Sequence, residues 1–176
     1  MEGAIRETLG GSVHVLNFPA AGLGPVWADP SQLENCIMSL VYNAREAMPT
    51  GGSLHLRTGE VRIAEDGQAD AWDILPGDRM RPGTYALLMI EDSGVGMKKD
   101  VLSRIFEPFF TTKPMGKGTG LGLSTVYGVL KQSGGAIHAD SEHGKGARFR
   151  LYLPLARPGQ GVSAAGSREI PGDTRP

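Results

Sequence analysis

From Ser12 to Phe18 (SVHVLNF) apolar and polar positions alternate with period two, which predicts a strand with one face on a core. A short apolar stretch, Pro25 to Ala28, follows a glycine-rich turn. Asp29-Pro30 then opens a helix, because an aspartate accepts hydrogen bonds from free first-turn amides and proline fits the first helical position. Leu33, Ile37, Leu40, Val41, Ala44 and Met48 recur every three or four residues and form one apolar face, which ends at Pro49-Thr50-Gly51-Gly52.

Ser53 to Ile63 reads as a strand with a weak point at Gly59, and Ala64 to Pro82 as an irregular polar insertion. Thr84 to Glu91 is a nearly continuous apolar run between Pro82-Gly83 and Asp92-Ser93-Gly94, as in a central strand covered on both faces. A short helix is predicted from Lys98 to about Ile105, and a longer one from Thr119 to Gln132, stopped by Gly134-Gly135. Two strands, Ala136 to Ser141 and Ala147 to Leu153, flank the hairpin turn His143-Gly144-Lys145-Gly146. Beyond Pro154 the composition turns to Pro, Gly, Ser and Ala without periodicity, the mark of a linker or tail.

At 176 residues the chain can close one core, and its formal net charge of -1 gives no reason to expect nucleic acid or direct membrane contact. No apolar run reaches the roughly 20 residues that span a bilayer, and Met1 to Gly10 lacks the order of a signal peptide, so a soluble cytoplasmic domain is expected. Cys36 stands alone, which rules out an internal disulfide or a cysteine-based zinc cluster and suggests a buried thiol. The 26 glycines are clustered, which points to backbone used as a binding surface.

Four constellations carry chemistry. Asn43, beside the apolar face of the long helix, can point its amide oxygen at a divalent cation or simply face solvent. Asp92, in Asp92-Ser93-Gly94-Val95-Gly96-Met97, stands at a strand end where a carboxylate can accept an adenine amino proton, with bare glycine backbone beside the base. The same letters also suit an ordinary turn. Gly116-Lys117-Gly118-Thr119-Gly120-Leu121-Gly122-Leu123 runs into a helix start, where free amides and the helix dipole favour phosphate; it is neither a Walker loop nor a dinucleotide fingerprint. Between them, in Phe106-Glu107-Pro108-Phe109-Phe110-Thr111-Thr112-Lys113, Phe106 and Phe109 would pin one end of a lid, and Lys113 is either a phosphate contact or a solvated lysine.

In this order the four motifs resemble the ATP-binding domain of bacterial sensor histidine kinases, of the superfamily shared with gyrase, Hsp90 and MutL. The resemblance covers about Asp29 to Pro154, and Asn43-Ala44-Arg45-Glu46-Ala47-Met48-Pro49 looks most like the nitrogen-regulator and hybrid-kinase branch. It implies an α/β (α+β) two-layer sandwich of Bergerat type, a mixed sheet with helices on one face. It also implies Mg-ATP (or ADP) bound between helices and lid. On that basis Asn43 would hold Mg²⁺ and take part in catalysis with Lys113. Asp92 would read adenine, with Gly94, Gly96 and Met97 lining the base. Gly118, Gly120 and Gly122 would offer amides to the phosphates, with Thr119, Leu121 and Lys113 as further contacts and Phe106 and Phe109 anchoring the lid.

Two positions depart from the family pattern. Ser39 stands where a second asparagine is usual and where hydrolysing relatives carry a glutamate base, so hydrolysis is disfavoured. Ala147 replaces the usual Thr or Ser after Gly-x-Gly. The phosphoacceptor histidine of such kinases lies on a long helix and is normally followed by an acidic residue, whereas His14, His55, His138 and His143 are followed by Val, Leu, Ala and Gly. The expectation is therefore an N-terminal strand region (1–28) leading from dimerisation helices of a longer parent, a catalytic core (29–154) and a tail (155–176). Transfer would go to a histidine on those helices and on to a response regulator or receiver domain, with dimerisation only in the full-length protein. A docking module that responds to a nucleotide or ligand without chemistry is the alternative that Ser39 and Ala147 motivate.

Overall fold

The computed structural model describes residues 1–64, 80–114 and 118–156. Most of the expected insertion and tail, together with Gly116 and Lys117 of the glycine-rich loop, lie outside the described residues. The elements are α1 (Glu2–Leu9), β1 (Val13–Phe18), α2 (Pro30–Ala47), β2 (Gly52–Ile63), β3 (Gly83–Asp92), α3 (Lys99–Leu102), α4 (Gly122–Gln132), β4 (Ala136–Ser141) and β5 (Ala147–Pro154).

The five strands form one mixed sheet in the order β1-β2-β3-β5-β4; β1 runs parallel to β2 and every other pair is antiparallel. Strand alternation divides the side chains between two faces. Leu88 and Ile90 of β3 join Phe149 and Leu151 of β5 in the large cluster under α1, α2 and α4, while Tyr85 and Leu87 point the other way, against Val61, Ile63, Ala136 and Tyr152. Leu40 and Val41 of α2, Leu54 of β2, Val126 and Leu130 of α4 and Leu151 are all but sealed from water. Truncating any one of these leucines to alanine costs about 2–5 kcal/mol. The register sets Asp92 opposite both Leu54 and Ala147, so the end of β3 lies at the middle of the sheet's edge rather than on an outer strand.

The long helix forms as expected: the Asp29 carboxylate accepts from the Gln32 amide at 2.9 Å and Pro30 is the first helical residue. Four details differ from the sequence reading. α1 was not foreseen; it buries Ile5 and Leu9, four residues apart, in the same core as α2. Gly59 does not weaken β2, whose ladder runs unbroken to Ile63 with Gly59 opposite Leu87, because ladder hydrogen bonds come from the backbone. α3 is a single turn, ending at Leu102. α4 begins at Gly122 rather than Thr119, since Gly120 is left-handed (φ 66°) and the Thr119 hydroxyl is taken by the Leu121 amide at 3.3 Å.

Candidate functional site

A cleft of about 320 Å³ opens between the C-terminal half of α2, the end of β3 and the segment 110–113. Asn43 and Glu46 line it from α2, Asp92, Gly96 and Met97 from β3 and its turn, and Thr111, Thr112 and Lys113 from the segment before the glycine-rich loop. Val101, Ile105, Phe110, Leu123, Ala147 and Phe149 supply apolar wall. An apolar slot with a few convergent polar groups is the usual form of a small-molecule site.

Asp92 is the most buried polar group there, 6% exposed. Burial pushes its carboxyl above the usual range, and the amides of Gly94 and Ala147 oppose that shift by donating to the carboxylate. The Gly94 bond measures 2.8 Å. A carboxylate held back from water on a cleft wall has acceptor capacity left for a ligand N–H.

The turn carrying Gly94 and Gly96 is clamped on two sides. The Val95 amide donates to the Ala47 carbonyl at the end of α2 (2.9 Å), and the Gly144 amide of the β4–β5 turn donates to the Val95 carbonyl (2.6 Å). Ser141 completes the clamp, its hydroxyl accepting from the Met97 amide (2.8 Å) and donating to the Gly146 carbonyl (2.7 Å). A Cβ on Gly94 would lie 2.5 Å from the Ala47 carbonyl oxygen. Gly96 and Met97 reach the cleft, while Gly94 is a packing glycine behind it.

Of the remaining predicted residues, Leu121 and Gly122 line a neighbouring recess between α2 and α4, with Asn35, Cys36 and Ser39. A Cβ on Gly122 would meet the Ser39 hydroxyl at 2.8 Å. Gly118 and Thr119 line neither the cleft nor this recess: Gly118 packs against the Lys113 side chain, the Thr119 hydroxyl accepts from the Leu121 amide, and Gly120 packs its bare Cα on the Phe109 backbone. The expected aromatic anchor needs correction: Phe106 packs on Tyr127 at 5.7 Å and joins the core, but Phe109 is 74% exposed with φ 66°. Phe110 takes its place, packed on the core with the Arg104 guanidinium 4.4 Å over its ring. Glu46 was missed, although it sits one turn beyond Asn43; that spacing was the available signal. Burial also raises the Cys36 thiol, in keeping with a structural cysteine.

Among the described residues no helix is long and apolar enough to cross a membrane. The family profile described as "Histidine kinase-, DNA gyrase B-, and HSP90-like ATPase" matches residues 28–157. The chain is similar to the sensor kinase CckA of Brucella abortus, 49% identical over 75% of this chain and 13% of that protein. It is also similar to the sensor histidine kinase ZraS of Escherichia coli O157:H7, 35% identical over 80% of this chain and 26% of that protein. It thus spans between 13% and 26% of the length of these curated relatives. The catalytic domain of histidine kinase ThkA superposes with a TM-score of 0.61 at 24% identity, covering 88% of this chain and 84% of that one. Full-length ShkA, solved in complex with AMPPNP, gives 0.62 at 23% identity, covering 89% of this chain and 30% of that one. By the extent of the profile match, this chain belongs to the histidine kinase-, DNA gyrase B- and HSP90-like ATPase family.

Proposed function

We propose that the cleft takes Mg-ATP with its adenine against Asp92 and its phosphates toward Lys113 and the start of α4, and that the domain hands the γ-phosphoryl to a histidine of another domain. The observation that carries this reading is the convergence of Asp92, Asn43 and Lys113 on one apolar slot. Asp92 accepts the exocyclic amino proton, and the clamped turn sets Gly96 and Met97 beside the base. Among the described residues no group of three or more His, Cys, Asp or Glu could hold a metal by itself. A single amide oxygen from Asn43 fits instead a Mg²⁺ that keeps phosphate and water oxygens as its other ligands. That ion would neutralise charge building up on the phosphates.

In the transfer an imidazole nitrogen attacks the γ-phosphorus in line, a nitrogen–phosphorus bond forms and the bond to the β,γ-bridging oxygen breaks, leaving ADP. The chain's own contribution is position and charge: Asp92 and the turn orient the nucleotide, and Lys113 places a positive charge near the phosphates. Ser39, turned toward Gly122, has no basicity with which to activate water, which favours transfer over hydrolysis. His14, His55 and His138 stand in β1, β2 and β4, and His143 in the turn after β4, none of them on a helix. The acceptor in this reading therefore lies on histidine-bearing dimerisation helices, and a response regulator or receiver domain takes the phosphoryl next.

Titration calorimetry with ADP and with a non-hydrolysable ATP analogue, with and without Mg²⁺, is the test. Micromolar binding strengthened by the metal is expected; no binding of either nucleotide overturns the reading. Joined to a histidine-bearing helical pair and given labelled ATP, the domain is expected to yield acid-labile phosphohistidine. Steady phosphate release by the domain alone would point to an ATPase instead.

A further inference from the structure

Across the mouth of the cleft the Lys113 ammonium is bound to the Glu46 carboxylate at 2.5 Å. The contact joins two elements far apart in sequence. Glu46 is on α2, three residues past Asn43 and so on the same side of the helix, and both partners line the cleft. The lysine's course is fixed from behind as well. Its backbone amide donates to the Thr111 hydroxyl at 3.1 Å, and a Cβ on Gly118 would come within 2.7 Å of Lys113 Cδ, so the bare glycine makes room for the stem. Phe110, under Arg104, holds the beginning of the same segment on the core.

We propose that Glu46 is a positioning residue for Lys113: it holds the ammonium over the cleft until the phosphates of a nucleotide take its place. This rests on the nucleotide reading given above. The side chains are 36% and 52% exposed, and a pair so open to water holds with only a small advantage, about 1.5- to fivefold in an equilibrium constant. A phosphate carries more charge than a carboxylate and offers several acceptor oxygens, so it displaces one that holds so lightly. The pair also cancels a negative charge that would otherwise stand beside Asn43 and repel the incoming phosphates. A fully buried pair would have trapped the lysine; this one keeps it in place and gives it up.

Two measurements on the whole chain test the exchange. The first reads the lysine directly, as the rate of Lys113 acylation by an amine-reactive reagent followed by mass spectrometry, with exposed Lys99 as internal reference. Glu46→Gln is expected to speed Lys113 labelling about two- to fivefold relative to Lys99, and Glu46→Asp to change it less. The second is calorimetry, in which Glu46→Gln is expected to bind the non-hydrolysable ATP analogue about two- to fivefold more tightly while adenosine binds unchanged. Unchanged labelling, or weaker binding of the analogue by Glu46→Gln, overturns the proposal. Failure of the unaltered chain to bind ADP would instead sink the nucleotide reading, and the labelling result would still decide whether Glu46 positions Lys113.

Discussion

Gly146 and Asp92 are in backbone contact: a Cβ on Gly146, whose φ is 80°, would lie 2.0 Å from the Asp92 carbonyl oxygen. The β4–β5 turn is thus seated on the end of β3, and Gly96 meets the same turn from the other side, its Cβ position 2.1 Å from the Glu142 carbonyl oxygen. Gly96→Ala combines a left-handed backbone (φ 62°) with a collision against main chain that no rotamer can relieve. It is expected to destabilise by at least about 2 kcal/mol, seen as a lowered denaturation midpoint. Gly128 in α4 has nothing within 4 Å of its Cβ position, and Gly128→Ala is expected to raise stability by about 0.5–1 kcal/mol in the same measurement.

In the proposed reading Asp92 sets stability against binding. Its carboxyl is raised by burial, so the folded protein binds that proton more tightly than the unfolded chain does. Below the carboxyl's unfolded value both states are protonated and Asp92 costs nothing. As pH rises from there through the raised folded value, ionisation draws free energy from the fold, and the full cost is present at neutral pH. Asp92→Asn removes the charge and keeps an oxygen for the Gly94 amide. It is expected to raise thermal stability at pH 7 by on the order of 1 kcal/mol, with the gain vanishing in acid. Asp92→Ala removes the acceptor and is expected to cost nucleotide affinity about ten- to a hundredfold by calorimetry. For the unaltered protein, affinity is expected to fall as pH drops through the raised Asp92 value.

What the sequence showed and what it hid divide along the range of the interactions involved. Asp29-Pro30 and the Leu33-to-Met48 periodicity act within one helix, and α2 formed where they said. The strand end at Asp92 was legible because the apolar run stops at Glu91-Asp92 before Ser93-Gly94, and β3 does end there. α1 escaped because two buried residues in eight are too few to establish a period. Phe109 and Phe110 are indistinguishable as neighbours in sequence. Which one turns inward is decided by the left-handed Phe109 backbone, and that conformation depends on Gly120, whose carbonyl accepts the Phe109 amide at 3.0 Å. The ion pair of Glu46 with Lys113 joins α2 to a segment far away in sequence, which no local pattern encodes.

Phe109 itself is a test of that backbone assignment. A non-glycine residue at φ 66° carries a steric cost of roughly 1–2 kcal/mol, and a ring 74% exposed recovers little of it by burial. Phe109→Gly is expected to stabilise the domain by up to about 1 kcal/mol, the gain reduced by the greater entropy of glycine in the unfolded chain. Phe110→Gly, which gives up packing on the core and the Arg104 contact, is expected to destabilise by about 3 kcal/mol. Parallel chemical denaturation of the two variants separates the roles of adjacent residues of one type.

Asn43 is the chain's own oxygen ligand in the proposed reading, so its removal should uncouple metal from nucleotide rather than abolish binding. It is half-buried on α2, and neither it nor Ser39 makes a side-chain hydrogen bond to another described residue, which leaves the amide free to face the cleft. Adenine still has Asp92 when the amide is gone. With Asn43→Ala, adenosine is therefore expected to bind as before, while the ATP analogue loses about tenfold in the presence of Mg²⁺, the scale of one charge-assisted contact. Chelating the metal is expected to weaken the analogue's binding to the unaltered chain by a similar factor and to leave the variant almost unmoved. Equal metal dependence in the two proteins, read from paired titrations, would place the Mg²⁺ on groups other than Asn43.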